Sequence, residues 1–156
     1  MTLPISSVLL GALGVLLVSA GVEDARKREI ANWKNAAIAL LAPAWWWATG
    51  VAIWPGVAIQ IGVAIVALAA FAVAFRFGWM GGGDVKMIGA LALWLPVMPL
   101  AWMLMVMSLA GGALTIVMLM EHTISRRKGA VEVPYGVAIA VAALLTIREP
   151  ILYQFP

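Results

Sequence analysis

The sequence predicts an all-α, polytopic membrane protein with about six transmembrane helices and both termini outside. Three observations predict it. Hydrophobic residues make up 65% of the chain and charged residues only 11%, against roughly 25% charged in a soluble domain. Mean hydropathy is +1.05. A chain of 156 residues is one domain whose interior is too small to hide that much apolar surface from water. Lipid has to supply the remaining solvent, and 1–156 reads as a single integral-membrane domain.

A helix needs about 20 mainly apolar residues to cross the hydrocarbon core. Leu3–Val22 is the first such run and carries no charge, and Glu23-Asp24-Ala25-Arg26-Lys27-Arg28-Glu29 interrupts it. The run lacks a basic leading segment and is too long for a signal-peptide core, so no cleavage is expected. A second run extends from about Asn35 to Trp54 and a third from about Gly56 to Phe75, with Pro55-Gly56 as the turn between them. Arg76 to Gly83 is a loop, and Asp84–Leu95 is a short fourth run. Pro96 and Pro99 break the chain before a fifth run at about Leu100–Met120. The polar stretch Glu121–Glu132 then precedes a sixth run, Pro134–Ile147. Trp45, Trp46 and Trp47 with Trp54 read as an aromatic belt at the outer interface.

Charge orients the set. With the N-terminus outside, the loops containing Asp24, Arg76–Asp84 and Glu121–Glu132 share one side of the membrane. That side holds Arg26, Lys27, Arg28, Lys34, Arg76, Lys86, Arg126, Arg127 and Lys128, nine of the ten bases. Only Arg148 falls on the other side. Positive residues stay in the cytosol, so these three loops are cytosolic. The net charge of +3 is no argument for nucleic acid, because the bases sit in short loops between spans.

Composition also removes several chemistries. With no cysteine and one histidine, His122, the chain has no thiol nucleophile, cysteine zinc site or two-histidine metal motif. No cofactor is expected. His122 itself reads as an interfacial loop residue, and Met103, Met105, Met107, Met118 and Met120 as adaptable helix packing.

Acidic residues are scarce, and only two are aspartates. Asp24 follows the first span, and Asp84 closes Gly81-Gly82-Gly83-Asp84 as the expected N-cap of the fourth helix. Topology returns both to the same face. Ionisable groups at membrane depth are costly and mark function by default. The glycine triplet frees φ and lets another backbone approach. Two carboxylates within hydrogen-bond distance share one proton, the aspartic-protease arrangement. A plain alternative stays open on these grounds: a glycine loop with a helix cap, and a juxtamembrane charge beside Lys27 and Arg28.

The wider pattern resembles the type IV prepilin peptidases, integral-membrane aspartic proteases of the Gly-x-Gly-Asp group. Asp24, Ile30 and Asn32 follow the first span. Gly81-Gly82-Gly83-Asp84-Val85-Lys86 comes next, and Val133-Pro134-Tyr135-Gly136 opens the last helix. The resemblance implies cleavage of the short basic leader of prepilins at the cytosolic face of a prokaryotic inner membrane. It makes Asp24 and Asp84 the catalytic pair, and Lys86 with Gly81, Gly82 and Gly83 the substrate-binding set. Its implied partners are a prepilin-like membrane substrate, the bilayer and the pilus assembly machinery. Ile30-Ala31-Asn32 stands where the family commonly has Ile-Pro-Asn. The cysteine-bearing cytosolic segment of bifunctional members is absent, which puts methyltransferase activity in doubt and suggests the compact form of Tad/Flp and preflagellin systems.

Two other functions compete. A small transporter or channel subunit could use both aspartates for cation or proton binding, with carboxylates deep in helices facing a pore. A non-enzymatic pilus-assembly subunit would have lost its catalytic residues, yet both aspartates are present. Serine chemistry has no frame, since Ser108 is followed by Leu-Ala-Gly.

Overall fold

The computed structural model describes residues 4–124 and 133–148. They form six helices: α1 (Ile5–Lys27), α2 (Asn32–Thr49), α3 (Ala58–Arg76), α4 (Gly82–Ala92), α5 (Val97–Ile124) and α6 (Tyr135–Arg148). One wide turn over Ile53–Val57 leads into α3. Among the described residues there is no strand. Arg126, Arg127 and Lys128 lie outside the described residues.

Helices α1, α2, α4 and α6 close into a ring in which each packs on two others. From outside, α3 leans on α4 and α5 on α6. Where α1 meets α6, Gly21 and Ala140 let the backbones approach, and a β-carbon at Gly21 would lie 3.1 Å from that of Ala140. Leu13, Leu17, Ile38, Met87, Ile88, Leu91 and Ile139 fill the interior of the ring.

The outer faces carry bare aliphatic residues. Leu40 is 78% exposed and Leu109 68%, a surface suited to lipid rather than water. The segments Ile5–Lys27, Ile53–Arg76 and Val97–Ile124 are long and apolar enough to cross a bilayer, and Tyr135–Ile147 is a shorter apolar helix. Hydroxyls in α5 and α6 donate to the carbonyl one turn back, as Ser108 does to Leu104 and Thr146 to Ala142, which pairs them in an apolar medium.

Several boundaries differ from the sequence expectation. Hydropathy ends the first run at Val22, but the helix continues to Lys27 and carries Asp24 inside its last turn. Charged residues interrupt contact with lipid without interrupting helical hydrogen bonding. Pro99 does not break the chain, because it sits in the first turn of α5, where its missing N–H has no helical partner to lose. His122 is in the last turn of α5, not a loop. Only half of the tryptophan cluster is a belt: Trp47 and Trp54 are exposed, whereas Trp45 and Trp46 are buried, and Trp45 stacks on Trp94.

Helix α4 is the centre of the molecule. All its residues except Gly82, Gly83 and Lys86 are buried. Its 11 residues rise only about 16 Å, half of the ~30 Å hydrocarbon core. Its last carbonyls therefore end in an apolar interior and need donors. Gln60 of α3 donates to Ala92 O and Leu95 O, and Trp46 of α2 donates to Leu93 O at 2.8 Å. Trp94 returns a bond to Ile38 O. Two side chains from neighbouring helices, Gln60 and Trp46, thus tie off the short helix that carries Asp84.

Candidate active site

The end of α1 is stopped by Arg28, which adopts a left-handed conformation (φ 58°) and donates its N–H to Asp24 O at 2.9 Å. The chain then turns within four residues into α2. Glu23 holds this turn together: it accepts from the Ala31 N–H at 3.3 Å and pairs with Lys34 of α2 at 2.9 Å. Lys34 also donates to Ser19 O of α1 at 2.9 Å. Lys27 pairs with Glu23 at 3.6 Å, not with Asp24 as its helical spacing also allows.

At the start of α4 the sequence expectation needs a correction. Gly81, not Asp84, is the N-cap, and Asp84 lies in the first turn with its carboxylate turned back on the Gly81 N–H. That is the return half of a capping box. Nor does any glycine of the triplet use positive φ; what the triplet supplies is close approach. A β-carbon at Gly83 would lie 3.2 Å from the Ile30 side chain, and one at Gly82 would lie 3.3 Å from the Phe75 ring. Asn35 of α2 fastens the same turn by donating to Gly83 O at 3.1 Å.

Asp24 and Asp84 come together at one end of the ring. Both line a polar cavity of about 290 Å³ bounded by Ile30, Asn32 and the glycine triplet. Both also line a wider one of about 630 Å³ that runs past Trp79, Met80 and Tyr135. Each carboxylate is buried, 5% exposed at Asp24 and 7% at Asp84. Among the described residues neither makes an ion pair. The Gly136 and Val137 amides in the first turn of α6 point at Asp24, yet its Oδ2 has no hydrogen-bond partner. Burying carboxylates without a counter-ion costs stability. Such a pair, facing two polar cavities, is suited to moving protons.

Lys86 points away from the pair. Two residues beyond Asp84 on the helix, it reaches toward α2 and donates to Asn32 Oδ1 at 2.8 Å. Residues at the site to which sequence reasoning gives no role include Asn35, Glu29 and Trp79, and it reads Gly136 only as part of a motif. Tyr135 is held at the mouth by Thr115, 3.4 Å from its hydroxyl. The transporter reading expects carboxylates at mid-helix depth, but both lie within a turn of a helix end.

The apolar helices and the two buried carboxylates without ion-pair partners, facing the same two polar cavities, define a helical membrane protein with one candidate site. The chain belongs to the type IV leader peptidase family, whose model matches residues 11–116. The matched segment contains Asp24, Asp84 and Lys86 and stops before Val133–Gly136. Comparisons with curated proteins and with solved structures return no match. The chain is thus a peptidase of a membrane-embedded family.

Proposed function

We propose that this protein is a membrane aspartic endopeptidase that removes the basic leader from prepilin-like proteins at the cytosolic face of the inner membrane, with Asp24 and Asp84 as its catalytic pair. The observation that carries the reading is the convergence of these two side chains, from different helices, on the same two polar cavities. Family membership supports the leader-peptidase activity in general.

The chemistry needs one carboxylate ionised and the other protonated, which is how two carboxyls facing one cavity settle. The ionised member takes a proton from water as the water oxygen attacks the scissile carbonyl carbon. The protonated member donates to the carbonyl oxygen. The diol intermediate then collapses: the C–N bond breaks, the amine leaves with a proton from the carboxyl that gained one, and the diol returns a proton to its partner. The leader ends as a carboxylate and the mature chain begins with a new amine. Gly81, Gly82 and Gly83, which line the smaller cavity beside Asp84, form the surface on which the substrate backbone lies, and Lys86 contacts the mature portion. The prepilin-like substrate and the pilus assembly machinery are the partners.

Co-expression with a candidate prepilin tests this. Wild type should shift the prepilin to its mature mobility, and Asp24→Ala or Asp84→Ala should not, at equal membrane levels. Cleavage surviving in both variants overturns the assignment of the pair.

A further inference from the structure

Helices α2 and α3 both lean on α4 without packing closely on each other. The gap between them is a groove of about 480 Å³, open along its length and walled by Ala39, Ile61, Ala64, Ile65 and Leu93. Its lining is apolar except at one end, where Asn32, Asn35 and Lys86 close it. Asn32 also borders the smaller of the two cavities that hold Asp24 and Asp84, so the polar end of the groove opens onto the catalytic pair.

Two groups at that end lack complements. Asn35 is 4% exposed, its amide nitrogen is committed to Gly83 O, and its Oδ1 is buried with no donor. Lys86 has only the neutral Asn32 Oδ1 as partner, and among the described residues no carboxylate lies within ion-pair distance of it. An unneutralised, exposed cation at the head of an apolar trough defines an occupant. The first turn of a helix offers free N–H groups, and a carboxylate there is favoured by the helix dipole.

We propose that this groove seats the apolar transmembrane helix of the substrate, with its N-terminal end at Asn35 and Lys86. A first-turn carboxylate of the substrate pairs with Lys86. The inference rests on the peptidase reading and adds polarity to it. With the helix start fixed there, the extended residues just before it pass Asn32 and reach the aspartates, which sets how far from the helix the chain is cut. Small residues at Ala39, Ala64 and Gly89 keep the floor low; a β-carbon at Gly89 would meet Leu68 Cδ1 at 2.8 Å.

The chain has no cysteine, so single-cysteine variants need no background change. Ile65→Cys and Ala39→Cys line the groove, and Leu109→Cys on the far face of α5 is the control. Each is combined with Asp84→Asn and co-expressed with a prepilin that carries one cysteine in its apolar helix, and the membranes are then treated with copper phenanthroline. Disulfides from Ile65→Cys and Ala39→Cys but not Leu109→Cys are expected. In the otherwise unaltered enzyme, Lys86→Glu should lower processing by about tenfold, and a substrate with lysine in place of its first-turn acidic residue should restore it. Processing by the unaltered enzyme with crosslinks absent from the groove, or equally strong at Leu109→Cys, overturns the groove assignment alone. Failure of the charge exchange to restore processing overturns the Lys86 contact. If the unaltered enzyme does not process the prepilin, the peptidase reading falls and the groove assignment with it.

Discussion

Gly136 faces the Asp24 carboxylate so closely that a β-carbon there would lie 2.8 Å from Oδ2 and 2.7 Å from Ile30 Cδ1. No side chain fits between α6 and the aspartate, so the helix start itself forms one wall of the pocket. Gly136→Ala has to displace Asp24, Ile30 or the first turn of α6. Overpacking of this kind costs about 1–3 kcal/mol, and a displaced carboxylate loses its alignment with Asp84. Leader removal should fall by about tenfold or more, while membrane abundance is kept. Gly11→Ala, where nothing lies within 4 Å, should leave processing unchanged. Equal activity in the two variants would contradict a pocket built on this contact.

Gln60 should matter for stability out of proportion to its distance from the pair. Its amide serves two carbonyls at the buried end of α4. Gln60→Leu leaves both without a donor, at about 1–3 kcal/mol for each group, and loosens the helix that presents Asp84. Thermal unfolding in detergent should show a clear drop in Tm. Trp46→Phe, which strands only Leu93 O, should show a smaller one. An unchanged Tm for Gln60→Leu would mean that the carbonyls find other partners.

Much of this was legible in the sequence, and the exceptions have physical causes. Hydropathy locates six helices because each needs an apolar lipid-facing or ring-facing stripe. Alternating topology returns Asp24 and Asp84 to one end. Hydropathy reads solvent rather than hydrogen bonding, so it misses the last turn of α1, which is charged yet helical. The part played by Gln60 is invisible because it depends on where α4 stops, and α4 stops at half the bilayer thickness. Gly136 stands in a motif, but its reason for being glycine appears only when α6 is laid against α1. Trp45 and Trp46 show the same limit, since composition cannot tell a tryptophan at an interface from one stacked on Trp94.

The two lysines on Glu23 should differ. Lys34 is 6% exposed and is shared between Glu23 and Ser19 O, whereas the Lys27 side chain is 69% exposed. Exposed pairs contribute little and are screened by salt. Lys34→Met should lower Tm and reduce processing by loosening the turn between α1 and α2, and Lys27→Met should do neither measurably. The comparison at low and high salt checks the assignment, because the effect of Lys34→Met should persist at high salt.

Neutralising either buried carboxyl should not weaken the fold. Neither aspartate has an ion-pair partner among the described residues, so replacement by the neutral isostere relieves an uncompensated burial. Asp24→Asn and Asp84→Asn should unfold at or above the wild-type temperature. A Tm several degrees lower in either would point to a structural carboxylate.

The most direct test of the central claim is the rate of leader removal by purified protein in proteoliposomes, wild type against Asp24→Asn and Asp84→Asn, with the mature N-terminus read by mass spectrometry. The account predicts a single cleavage product with wild type and a loss in kcat of at least about 10³-fold in each variant, with the folded fraction unchanged. A variant that retains a rate within about tenfold of wild type would show that its aspartate takes no part in the chemistry, and would contradict the pair.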